Sequence, residues 1–383
     1  MVRRPGWVDH LIGWHVYPLG FVGAPKRLES GEVSHRLGHL EAWLDHAVSL
    51  GCSGLALGPI FASASHGYDT LDYFAVDPRL GDDTDFDHLV HAAHSRGLSV
   101  LLDGVFNHVS SRNQVVQDAL AAGPETDAGR MVRWRDGQLD VFEGHGDLVS
   151  LNHDDPAVRD LVTRVMNHWS DRGVDGWRLD AAYSVNPEFW AAVLPLVRAE
   201  HPDVWVFGEV IHGDYAGIVK ASGMDSVTQY ELWKAIWSSI ESRNFFELDH
   251  ALGRHNEFSD AFTPMTFVGN HDVTRIASKV GQDGAMVATA VLATIGGVPL
   301  IYYGDELAYR GIKEERFGGD DDIRPVFPAS PAELSNLGAE TLRTHQDLLG
   351  LRRRHPWLVD ARTESLDLTN ERYVYRSGVP GVE

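Results

Sequence analysis

Along most of this chain, short apolar runs alternate with stretches whose apolar residues recur at helical spacing, a pattern that predicts parallel βα units. Eight runs read as strands: Gly13 to Tyr17, Gly54 to Leu57, Leu98 to Asp103, Val174 to Asp180, Val204 to Glu209, Ser226 to Tyr230, Met265 to Val268 and Val298 to Tyr303. Several are almost continuously apolar, as strands buried on both faces are. Between them, Leu37 to Ser49 places Leu37, Leu40, Trp43, Leu44, Ala47 and Val48 on one helical face, and Asp85 to His94 does the same with Phe86, Leu89, Val90 and Ala93. Eight strands alternating with helices predict an α/β fold, a TIM-type (β/α)8 barrel. A doubly wound open sheet is the alternative, but no glycine-rich phosphate loop follows the first strand.

Two segments interrupt the rhythm. Residues 109–152, rich in Gly, Asp, Arg and Gln, follow the third strand and read as a short inserted loop domain over the barrel mouth. Residues 1–108 and 153–356 then form the two parts of the barrel, and 357–383 a reduced or truncated C-terminal β-domain. In that tail, Ser365 to Thr369 and Arg372 to Arg376 alternate around an Asn370-Glu371 turn. A two-stranded ribbon buries too little to stand alone, so it either packs on the barrel near Trp357 or is the stump of a longer domain. The expectation is the stump, with apolar surface left exposed and a tendency to self-associate.

Composition narrows the partners. With 383 residues, 43% hydrophobic and 10% aromatic, the chain can bury a large core. Its 33 basic against 55 acidic residues, formal net charge -22, argue against nucleic acid or an anionic membrane surface. No run approaches the roughly 20 apolar residues of a membrane span. Met1 to His10 has no apolar core after its basic residues, and one cysteine, Cys52, excludes an internal disulfide; both favour the cytoplasm.

The candidate chemistry sits at strand ends, where a (β/α)8 barrel gathers its site. Strand three ends Asp103-Gly104-Val105-Phe106-Asn107-His108, strand four Arg178-Leu179-Asp180, strand five Gly208-Glu209-Val210 and strand seven Val268-Gly269-Asn270-His271-Asp272. Because strands alternate with period two, Arg178 and Asp180 point the same way, and the guanidinium is expected to keep the aspartate ionised and fit to act as a nucleophile. A structural ion pair is the plainer reading of that stretch by itself.

Together these four stretches resemble the signature regions of the α-amylase superfamily, glycoside hydrolase family thirteen, in order and in strand placement. Gly54 to Phe61, His66-Gly67-Tyr68-Asp69 and Gly296 to Glu306 add to the resemblance, which covers about residues 10 to 376. It implies a retaining glycosidase hydrolysing α-glucosidic bonds in maltodextrin-like oligosaccharides through a covalent glycosyl-enzyme. Asp180 would be the nucleophile, Glu209 the acid/base with a raised pKa, and Asp272 the third carboxylate gripping substrate hydroxyls. By the same resemblance Tyr68 is a stacking platform, His108 and His271 are hydroxyl donors, and Asp103 and Arg178 complete the substrate site; His66 is set aside as structural. Gly318 to Pro325 resembles an arginine-proline loop that narrows the cleft to a pocket through Arg324, with a plain surface loop as the alternative. The subgroup stays open: Ala181-Ala182-Tyr183-Ser184 follows Asp180 where endo-acting amylases carry lysine and histidine, and Ser150 stands where relatives carry aspartate or lysine. No cofactor is required, and Asn107 matches the family's structural calcium site only in part. Other functions left open are a transglycosylase or isomerase of the trehalose-synthase kind and an inactive carbohydrate-binding or assembly module. Linkage preference and oligomeric state are not legible.

Overall fold

A computed structural model describes residues 4–29, 31–316 and 318–379; the first three residues of the N-terminal stretch and the last four of the expected tail lie outside them. Eight parallel strands form the barrel: β1 Gly13–Val16, β2 Gly54–Leu57, β3 Ser99–Gly104, β4 Gly176–Leu179, β5 Trp205–Gly208, β6 Ser226–Val227, β7 Met265–Phe267 and β8 Val298–Tyr302. Their order is β6-β5-β4-β3-β2-β1-β8-β7, and a single parallel bridge from Thr228 to Met265 joins the two ends. β6 is far shorter than the expected Ser226 to Tyr230. The Gln229 side chain accepts from the Leu232 N–H and starts a helix, Tyr230–Ser242, so Tyr230 becomes the first helical residue.

Two apolar cores lie on the two faces of this sheet. Inside the barrel pack Ala56, Leu101, Trp205, Phe207, Met265, Phe267, Val298 and Leu300. The space is tight enough that a Cβ on Gly13 would collide with Leu300, which explains the glycine at the start of β1. Outside, amphipathic helices cover the sheet. Pro156–Asp171 is typical: Asp155 caps its N-terminus, Pro156 takes the first helical position, and Val158, Leu161, Val162, Val165, Met166 and Trp169 bury one face. Each such side chain contributes about 1.5–3 kcal/mol on burial. The expected helix from Leu37 to Ser49 is two pieces, Leu37–Glu41 and Leu44–Leu50.

Residues 109–152 leave and rejoin the barrel through one short antiparallel pair, His108–Ser110 with Leu148–Ser150. Between its arms lie helices Gln114–Ala122 and Asp127–Arg130, a small hairpin of Trp134–Arg135 with Gln138–Leu139, and a 3-10 turn at Phe142–Gly144. The C-terminal ribbon, Arg362–Leu368 with Tyr373–Gly378, is seated on the barrel's helices. Asn256 and Asp249 of helix Phe245–Ala261 bond Thr363 and the Tyr373 hydroxyl, and Thr294 accepts from Ser377 and pairs with the Tyr375 hydroxyl. Its seat is therefore the helices flanking β7, and Trp357 stays 41% exposed.

Candidate active site

Strand register builds the centre of the site. β4 aligns Arg178 with Asp103 on β3 and with Phe207 on β5, and Leu179 with Gly208. The residues that follow those strands, Asp180 and Glu209, therefore emerge side by side at the carboxyl end. Arg178 Nη1 donates to both oxygens of Asp103 at 2.7 and 2.6 Å and to Asp180 Oδ1 at 3.2 Å; its Nη2 lies 2.8 Å from Glu209 Oε1. One guanidinium thus holds three carboxylates, all buried.

Backbone geometry fixes the two residues further. Ala181 stands in the left-handed region at φ 46°, a conformation that costs a non-glycine residue about 1–3 kcal/mol and clusters at functional sites. From there its N–H donates to Glu209 Oε2 at 3.1 Å. Glu209 Oε1 also accepts from the Tyr230 hydroxyl at 3.1 Å, which in turn accepts from Asn270 at 2.9 Å.

Across the mouth, the loop after β7 presents Asp272. His271 Nε2 lies 2.9 Å from Asp272 Oδ2, and Arg324 donates from Nη2 to Asp272 Oδ1 at 3.0 Å and from Nε to the His271 carbonyl at 2.9 Å. The rings of Tyr17, His271, Tyr68 and His66 form a stack, with His271 and Tyr68 4° from parallel at 5.3 Å. The Tyr68 hydroxyl donates to Asp103 Oδ2 at 3.0 Å and touches His271 Nε2, tying the two sides together. His108 stacks on Phe142 at 4.7 Å beside the Tyr68 backbone, and Nδ1 of His271 is buried with no hydrogen-bond partner among the described residues.

The electrostatics correct one expectation. Burial pushes the Asp180 carboxyl well above the usual range; Arg178 opposes this, but Glu209, Asp103 and Asp272 push it further up. The expected ion pair is present and Arg178 does favour the ionised form of Asp180, but burial and the three neighbouring carboxylates outweigh it. Asp103 is raised too, again chiefly by burial and against Arg178. Asp103 and Asp180 therefore both retain a proton more readily than free carboxylates do. Asp272 goes the opposite way: burial raises it, but His271 and then Arg324 and Arg178 outweigh burial and hold it well below the usual range. His108 is pushed down to about 4 by burial first and then by His66.

The sequence model described as "Alpha amylase, catalytic domain" matches residues 37–346. The chain belongs to the α-amylase family. Neopullulanase 2 of Thermoactinomyces vulgaris is 33% identical over 350 residues, covering 80% of this chain, and the cyclomaltodextrinase of Geobacillus thermopakistaniensis is 28% identical over 395 residues, covering 93%. The chain spans 58% and 64% of those two proteins' own lengths. Among solved structures, the acarbose-soaked debranching enzyme of Nostoc punctiforme is 26% identical with a TM-score of 0.79, over 98% of this chain and 88% of that one.

In this α-amylase-family chain the structure brings Tyr68, Asp103, Arg178, Asp180, Glu209, His271, Asp272 and Arg324 into one bonded network. His108 stands beside it, close enough to be affected by His66 and the Tyr68 backbone. Asn107 stays apart: its amide lies 3.0 Å from His108 Nδ1. Among the described residues the His, Asp and Glu side chains that converge closely enough to hold an ion are His35, Asp82 and Asp85, at the N-terminus of helix Asp83–Ser95 and not at Asn107. The loop carrying Arg324 is no plain surface loop, since Ile323 is fully buried. Sequence reasoning passed over Tyr17 and His15, read only as strand residues, and Tyr230, read as the end of β6. His15 packs edge-on against His271 at 5.2 Å. Tyr183, whose hydroxyl donates to Glu143 Oε1 at 2.8 Å, ties the segment after Asp180 to the inserted turn. Among the described residues no helix is long and apolar enough to cross a membrane.

Proposed function

We propose that this chain is a retaining α-glycosidase that hydrolyses α-glucosidic bonds of short maltodextrin-like oligosaccharides in the cytoplasm. The observation that carries this is Arg178 bridging Asp103, Asp180 and Glu209 while Asp272 is held separately by His271 and Arg324. Two neighbouring carboxyl groups with one proton between them are what double displacement needs. Asp180 attacks the anomeric carbon as Glu209 gives its proton to the departing glycosidic oxygen. Glu209, now ionised, takes a proton from water, whose oxygen displaces Asp180 and restores the configuration. Arg178 remains charged throughout and stabilises whichever carboxylates are ionised. Asp272, held anionic, is suited to grip substrate hydroxyls. The imidazoles of His108 and His271 supply further polar contacts there, and Tyr68 backs the ring. These steps use side chains alone, and no cofactor is needed for the chemistry.

Arg324 across Asp272 supports a closed pocket and hence short substrates. The names of the relatives favour hydrolysis over isomerisation, and the retention of Asp180, Glu209 and Asp272 disfavours a mere binding module. Incubation with maltooligosaccharides and p-nitrophenyl α-glucosides should release reducing sugar. No turnover of either by folded protein would sink the proposal, and transfer products without free sugar would replace hydrolysis by transglycosylation.

A further inference from the structure

The loop that carries Arg324 is held from beneath. The carbonyl of buried Ile323 accepts from Arg275 Nη2 and from the Tyr302 hydroxyl, each at 2.9 Å. Arg275 is itself fully buried; its Nη1 donates to the Tyr303 carbonyl at 2.9 Å and to Asp305 Oδ1 at 3.0 Å, and its guanidinium lies 4.5 Å from the Tyr302 ring centre. Asp305 presses on the neighbouring loop, for a Cβ on Gly269 would collide with its Oδ2. On its far side the Arg324 backbone rests on Gly20, where a Cβ would stand 2.6 Å from the Arg324 carbonyl.

These contacts close a ring. From Asp272 the chain runs to Arg275, Arg275 holds the Ile323 carbonyl, Arg324 follows, and its Nη2 returns to Asp272 Oδ1 at 3.0 Å. A guanidinium buried this completely is costly to keep. Its planar fork reaches the Tyr303 and Ile323 carbonyls and the Asp305 carboxylate at once, which a lysine cannot reproduce.

We propose that Arg275 and Tyr302 are positioning residues of the active site: by fixing the Ile323 carbonyl they set the Arg324 guanidinium against Asp272 and so align that carboxylate toward bound sugar. The inference rests on the glycosidase reading above. It goes beyond stability, because it requires their effect to pass through Arg324.

The test is a pair of double-variant cycles, Tyr302→Phe with Arg324→Ala and Arg275→Lys with Arg324→Ala, read as kcat and KM on a maltooligosaccharide below each variant's melting temperature. Arg324→Ala should lower kcat/KM at least about tenfold, Arg275→Lys about tenfold and Tyr302→Phe about threefold, with the same division between kcat and KM, and neither should add to the loss in the Arg324→Ala background. Losses that multiply in the doubles, or single variants as active as the parent while Arg324→Ala is impaired, overturn the inference and leave Arg275 and Tyr302 a structural role only. Should Arg275→Lys fail to fold, the Tyr302→Phe cycle decides. A parent chain without turnover overturns the glycosidase reading instead; the same cycles are then read from calorimetric dissociation constants of maltotriose, and additivity or absence of binding overturns the inference.

Discussion

The two sides of the barrel mouth place chemically identical aspartates in opposite electrostatic settings. On the β3–β5 side, the Asp180 side chain is 10% exposed and shares one guanidinium with Asp103 and Glu209. On the β7–β8 side, the Asp272 side chain is 35% exposed and faces His271 and Arg324, with Arg178 at longer range. Asp180 is accordingly pushed up and Asp272 held down. What separates them is the ratio of cations to carboxylates within reach. That ratio matches the division of labour proposed for the site: a proton has to be retained among the clustered acids, whereas the carboxylate across the mouth has to stay charged.

The harshest way to break the contrast is to remove the shared cation. Arg178→Met leaves three buried carboxylates unpaired, and should cost about 3–5 kcal/mol of stability and at least about a thousandfold in kcat/KM at pH 7. Urea unfolding and steady-state kinetics check both. A variant as stable as the parent would mean that the cluster is discharged by some other route.

A milder pair of variants sharpens the comparison through pH. A carboxyl with a raised folded-state pKa binds its proton more tightly folded than unfolded, so its contribution to stability is lost as pH rises from about 4 through the raised value. A carboxyl with a depressed pKa contributes above about pH 4, and that contribution is lost as pH falls. Asp180→Asn should therefore melt a few degrees above the parent at pH 7, with the gain shrinking toward pH 4. Asp272→Asn should melt below the parent at pH 7, with the loss shrinking as pH falls further. Melting curves between pH 3 and 8 decide, and shifts of the same sign at pH 7 would remove the contrast.

The smallest expected effect lies at the rim. Tyr183→Phe removes only the bond to Glu143, worth about 1 kcal/mol, and should change KM for maltotriose or longer sugars by no more than about fivefold while kcat on p-nitrophenyl glucoside stays level. A collapse of kcat would place Tyr183 in the chemistry.

Much of this site was legible because buried parallel strands write themselves as apolar runs, and a charged residue at the end of such a run stands out. Asp103, Arg178, Asp180, Glu209 and Asp272 were found in that way, and the period-two argument placed Arg178 beside Asp180, which the 3.2 Å contact bears out. What it could not supply was the competition for Arg178, because the pairing of Arg178 with Asp103 is a matter of register between strands some 75 positions apart. Tyr230 was misplaced for a local reason. Val227-Thr228-Gln229-Tyr230 favours a strand by composition, but Gln229 caps a helix instead. The Glu143 to Tyr183 bond was out of reach altogether, since it depends on a left-handed turn at Glu143 within an inserted segment that has no periodicity to read.

The proposed roles of Asp180 and Glu209 meet their most direct test in azide rescue on an activated α-glucoside. Asp180→Gly opens the face from which the nucleophile attacks, and with azide should yield the inverted β-glucosyl azide. Glu209→Ala should instead pass through the intact glycosyl-enzyme and yield the α-glucosyl azide. The same two products with the variants exchanged would reverse the assignment of nucleophile and acid/base, and absence of rescue in both, with folding verified, would contradict the double-displacement account.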